Sequence, residues 1–151
     1  MQIAWRRYKF NNLSQVTGDS SSQILGLLGV LGDADLFLIN SNGILFGENA
    51  RLDPRGGSFL ATTADIVEYE IEEIAAPATQ GSEPMLTVRP SAFLFNQANP
   101  AAIVNSARTL PPTGLDSAPE GGLRVADGER ITLLGGDVSM DRGGLVRCAD
   151  A

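Results

Sequence analysis

Four aspartates, Asp33, Asp35, Asp137 and Asp141, are the residues of this chain on which acid–base chemistry could rest. Cleaving a glycosidic bond takes two carboxylates flanking it, and elimination on a sugar acid takes calcium held by acids beside a basic residue. Each of the four lies in a glycine-containing or turn-like context, where an aspartate is expected for its hydrogen bonds to local backbone. Turn chemistry therefore accounts for all of them without catalysis. A second set, Glu68, Glu70, Glu72 and Glu73, alternates with Val67, Tyr69 and Ile71 and has no basic residue among it. Calcium loops interleave acids with glycine and carbonyl donors rather than with β-branched and aromatic residues, so this run reads as the solvated face of a strand.

Metal and redox chemistry are further limited by residue supply. The chain has no histidine and one cysteine, Cys148, so neither an internal disulfide nor a transition-metal site of the usual ligands can be assembled, and no cofactor is expected. The net charge of −7 disfavours nucleic acid, and the one basic cluster, Arg6, Arg7 and Lys9, sits at the N-terminus. Trp5, Tyr8 and Tyr69 are scattered, which leaves no aromatic stripe on which a sugar would stack.

The elements that must carry these residues are short strands. Leu36–Ile39, Ile44–Phe46, Ala50–Leu52 and Ser58–Ala61 are apolar runs separated by Asn40-Ser41-Asn42-Gly43, Gly47-Glu48-Asn49 and Asp53-Pro54-Arg55-Gly56-Gly57. Asn, Asp, Gly and Pro tolerate left-handed or fixed backbone angles, so each cluster can turn the chain. Gly26, Gly29 and Gly32 recur every third residue, a spacing that favours short strands with tight bends over a helix. The same glycines make no dinucleotide site, since no strand–helix unit with a downstream acid accompanies them. Met85–Val88 and Ala92–Phe95 resume the strand rhythm, as do Leu123–Val125, Ile131–Leu134, Val138–Met140 and Leu145–Val146. Three strands to a repeat of about 20 to 25 residues is solenoid spacing. We expect an all-β chain, a right-handed parallel β-helix of one domain over 1–151, with an acidic strand and loop insert at 66–84 and a Pro-, Gly- and Ser-rich surface loop at 105–122.

If successive rounds stack in parallel, alternate residues point inward. Leu36, Leu38, Ile44, Phe46, Leu52, Phe59, Ala61, Leu123, Val125, Ile131, Leu133, Val138 and Met140 are the expected core.

The run Asn40-Ser41-Asn42-Gly43-Ile44, followed by Phe46-Gly47 and then by Gly56-Gly57-Ser58-Phe59, resembles the secretion-domain motif of filamentous haemagglutinin-type exoproteins, the secreted partners of two-partner secretion systems. Ser41 stands where that family usually has proline. The resemblance implies a secretion and targeting domain recognised by an outer-membrane transporter, with Asn40, Asn42, Gly43 and Ile44 as the recognition residues and as a nucleus for folding of the β-helix. It also implies a secreted or cell-surface protein, acting as a monomer. An adhesion or scaffold module and a carbohydrate-active β-helix enzyme are the alternative classes. The first twelve residues, MQIAWRRYKFNN, lack the apolar centre of a signal peptide, and no stretch is long enough to cross a membrane. The upstream part of the family's domain is not visible either, so the chain reads as an N-terminally incomplete exoprotein, the alternative being a cytosolic protein with a borrowed fold.

Overall fold

The computed structural model describes residues 10–30, 34–54, 56–74, 85–108, 122–142, 144 and 146–148. The basic cluster, Trp5, Tyr8, Asp33, the loop from 75 to 81 and most of the 105–122 segment lie outside the described residues.

Every described element is a strand, as the turn-punctuated apolar runs require. The first three are β1 (Phe10–Gln15), β2 (Ser22–Ile24) and β3 (Leu27–Gly29). The next three are β4 (Ala34–Ile39), β5 (Ile44–Phe46) and β6 (Arg51–Asp53). Then come β7 (Phe59–Thr62), β8 (Ile66–Ile74), β9 (Met85–Leu94), β10 (Ile103–Asn105) and β11 (Leu123–Val125). The last are β12 (Ile131–Leu134), β13 (Val138–Met140) and β14 (Val146–Cys148). With β8 and β9 set aside, they form four successive layers of three strands, and each strand pairs in parallel with its counterpart in a neighbouring layer. One column runs β1-β4-β7-β12 and a second runs β2-β5-β10-β13. The third comprises the pairs β3-β6 and β11-β14. At its centre β6 and β11 are neighbours without a hydrogen-bonded ladder, and a cleft of about 540 Å³ lies there. All-β structure with parallel sheets is what a β-helix demands.

The register puts like against like. Leu36 stacks on Phe59 and Leu38 on Ala61, while Ile44 stacks on Ile103. These residues, with Phe46, Leu123 and Val125, make the buried core, and Leu52, Ile131 and Leu133 pack half-buried against it. The Phe46 and Phe59 rings meet edge to face at 6.0 Å and 80°. Val138 and Met140 depart from expectation, being 38% and 50% exposed. They stand in register with the fully buried Ile103 and Asn105, so they occupy inward positions, but their strand is at the end of its column and has a layer on one side only.

Strand ends reuse one device. A side-chain oxygen accepts from the backbone N–H two residues on: Asn40 Oδ1 from Asn42 at 2.9 Å, Thr62 Oγ1 from Ala64 at 3.1 Å, and Asn105 Oδ1 from Ala107 at 2.9 Å. All three side chains are fully buried, so each corner is turned without leaving that polar group unpaired. Ser106 and Ala107 are also buried, so the start of the 105–122 segment belongs to the packed body.

β8 and β9 break the pattern. They pair antiparallel, Ile66 opposite Leu94 and Ile74 opposite Met85, with an irregularity at Glu68/Tyr69. The departure from parallel pairing therefore runs from 66 to 94, further than the acidic alternation alone marks, and Met85–Val88 is an arm of a hairpin rather than part of the parallel stack. Glu68 and Glu70 are exposed and Tyr69 between them is half-buried. A groove of about 470 Å³ lies between β9, which contributes Pro90, and the outer face of the first column, which contributes Phe37, Leu60 and Thr132.

Candidate functional site

The Asn40–Ile44 segment turns the chain from β4 into β5. Gly43 N–H donates to the Asn40 carbonyl at 3.1 Å, closing a tight turn, and Gly43 sits at φ 111°, a left-handed value natural to glycine. Asn40 is fully buried and uses its amide across layers: Nδ2 donates to the Ser20 carbonyl at 3.0 Å and to Ser22 Oγ at 2.8 Å. Asn42 is exposed, and its Nδ2 donates to the Gly18 carbonyl at 2.6 Å. Gly43 accepts from Ser22 N at 3.0 Å, while Ile44, 2% exposed, donates its N–H to the Ala102 carbonyl at 3.2 Å. On the other side Asn40 N–H donates to Thr62 O at 3.0 Å.

The structure thus brings the four predicted residues together in one turn stitched to the layer before it and the layer after it. Of the four, only the side chain of Asn42 is open to solvent in the folded domain, and those of Asn40 and Ile44 are open only before it folds.

A second corner carries Gly57-Ser58-Phe59. A Cβ at Gly57 would stand 1.8 Å from the Ala34 carbonyl oxygen, so the backbones approach where only glycine fits. Ser58 then links three layers: its N–H donates to Asp35 Oδ1 at 2.8 Å, and its hydroxyl donates to Glu129 Oε2 at 2.7 Å while accepting from Arg130 N at 3.1 Å. The glycine, serine and phenylalanine of the motif each have a packing task here. The sequence marks Ser58 as part of the motif but gives no sign of Glu129 as its partner, since their contact spans 71 residues and leaves no local signal.

The three described aspartates of those considered for catalysis have structural work or open surroundings. Asp35 holds Ser58, Asp137 is exposed on the approach to β13, and Asp141 faces Arg142 at 3.7 Å on the surface. Among the described residues no three His, Cys, Asp or Glu side chains gather where a metal ion could be held. Asp65 was missed by sequence reasoning and stands at the root of the β8–β9 hairpin. Its carboxylate accepts from Asn96 N at 2.7 Å, Gln97 N at 3.3 Å and Gln97 Nε2 at 2.6 Å. The Asn96 N–H is the chief reason its carboxyl lies below the ordinary 3.8; desolvation opposes the shift and Gln97 adds to it.

With both corners in place, comparison with known families is decisive. The model of the TPS secretion domain matches residues 10–149, a span that contains both corners and the hairpin that follows them. The chain belongs to this family. No curated protein and no solved structure matches it. As a TPS secretion domain it is a two-partner secretion substrate, of a family whose members are secreted exoproteins. The resemblance carried by Asn40–Ile44, Phe46-Gly47 and Gly56–Phe59 is therefore one of membership.

Proposed function

We propose that this secretion domain is read by an outer-membrane transporter as an extended, unfolded segment, through Asn40, Asn42, Gly43 and Ile44, and that it then folds outside the cell as a right-handed parallel β-helix, acting as a monomer and nucleating the structure downstream. The observation that carries this reading is the family match over 10–149, joined to the burial of Asn40, Gly43 and Ile44. Residues that folding removes from solvent are available to a partner only before it. In an extended chain the same segment offers an apolar strand flanked by amides, suited to adding onto the edge of a partner's sheet. The domain is a binding and folding module in this account, and no catalytic step is assigned to it.

The test separates recognition from stability. Asn42→Ala removes one hydrogen bond from an exposed position and should cost about 0.5 to 1.5 kcal/mol in urea unfolding. Binding of the unfolded chain to the transporter's periplasmic domains should nevertheless fall, against the direction in which lower stability alone would drive it, since a partner of the unfolded state gains when the folded state is weakened. If binding to those domains is unchanged by Asn42→Ala, or rises as the folded state weakens, the segment is fold chemistry and the recognition role is lost.

A further inference from the structure

Asn42 is the one asparagine of the chain followed directly by glycine. That step is chemically special, because glycine sets no Cβ against the approach of its own backbone nitrogen to the preceding side-chain amide. We propose that Asn42–Gly43 is a spontaneous deamidation site, open in the unfolded chain and closed by folding.

The reaction needs only water. Gly43 N gives its proton to solvent and attacks Cγ of Asn42; the N–Cγ bond forms, the Cγ–Nδ2 bond breaks, and the amide nitrogen leaves as ammonia after taking up a proton. The five-membered succinimide is then hydrolysed. Water adding at Cγ breaks the new bond and yields aspartate, whereas water adding at the main-chain carbonyl of residue 42 breaks the original peptide bond and yields isoaspartate.

The folded geometry blocks the first step at both reacting atoms. The Gly43 proton is committed to the Asn40 carbonyl at 3.1 Å, and Asn42 is held at two points, Nδ2 on the Gly18 carbonyl at 2.6 Å and N on Asn40 Oδ1 at 2.9 Å. Gly43 itself is buried, with the Ala102 carbonyl 3.3 Å from where a Cβ would lie. Nitrogen and amide carbon meet only if the turn opens and the flanking layers part from it. In the unfolded chain none of these restraints exists.

The product also cannot rebuild what it replaces. An aspartate at 42 has no proton for the Gly18 carbonyl, and an isoaspartate lengthens the main chain inside the tight turn. Resting on the export reading above, this sets a chemical limit on how long the unfolded, transport-competent chain stays intact, a limit that folding lifts.

The experiment is peptide mapping by mass spectrometry of the full chain held at mildly alkaline pH, in native buffer and in guanidinium chloride. Conversion at residue 42 should be about tenfold or more slower in native buffer, the ratio that an opening free energy of about 1.4 kcal/mol produces. Gly43→Ala, compared in guanidinium where its own folding is irrelevant, should slow conversion at residue 42. Equal rates in the two solvents, or a Gly43→Ala chain that converts as fast as the parent, overturns the proposal. Neither readout involves the transporter. Should Asn42→Asp bind the transporter's domains as the parent does, the recognition reading fails while the deamidation site stands.

Discussion

Single residues in this chain act mostly by what they connect across layers. Asn40 is legible in the sequence as a turn former, and its bond to the Asn42 N–H is the local part of that role. Its two bonds to Ser20 and Ser22 are not legible, because they join residues about twenty positions apart through a pairing that only the fold establishes. Gly57 shows the same division. The Gly56–Gly57 pair reads as a turn, yet what compels glycine at 57 is the Ala34 carbonyl on the neighbouring layer. A side chain there must displace backbone, so Gly57→Ala should cost about 3 kcal/mol or more, at or beyond the upper end of overpacking effects. Gly26 is the internal control, since a Cβ there meets nothing within 4 Å and the position is exposed. Gly26→Ala should stay within about 0.5 kcal/mol of the parent. Urea midpoints of the two variants decide it, and similar midpoints would show that the layers part at Gly57 without cost.

At the scale of elements, the strands from β4 to β7 were legible because each apolar run is bounded by Asn, Asp, Gly or Pro. The hairpin was not. Met85–Val88 is apolar in the way a parallel strand would be, and alternation assigns a face to a strand without naming its partner, so antiparallel return onto β8 left no separate mark. What anchors this excursion is Asp65, which joins the outgoing chain to Asn96 and Gln97 on the return. Because its folded carboxyl lies below the ordinary 3.8, the unfolded chain holds the proton more tightly. The contribution of Asp65 is therefore complete above pH 3.8 and is lost as pH falls through the folded value. Amide exchange at Asn96 and Gln97, corrected for its intrinsic pH dependence, should reveal a loosened root only in that acid range. Loosening already near neutral pH would mean that another group closes the hairpin.

Across the whole molecule, one core runs through the stacked layers, so stability is shared between neighbouring layers, as the parallel columns dictate. An inward side chain in a middle layer is covered on both sides, and one in a terminal layer on a single side. That difference explains why Val138 and Met140, assigned inward by period-two alternation, keep their face but not their burial. Phe46 and Met140 occupy the same column, each paired with Asn105, Phe46 from an inner layer and Met140 from the last. Phe46 is 0% exposed and packs on Phe59, so Phe46→Ala should cost about 3 to 5 kcal/mol. Met140 is half exposed and Asn105 Nδ2 donates to its sulfur at 3.3 Å, so Met140→Ala should fall below the 2 to 5 kcal/mol range usual for a buried methionine, at about 1 kcal/mol. Urea unfolding of both variants under one set of conditions tests this gradient from the middle of the stack to its end. Equal losses would mean that the last layer is covered in solution as fully as the inner ones. A loss at Met140 near 1 kcal/mol would show that the last layer is held less tightly than the inner ones, as a terminal layer from which the stack can open should be.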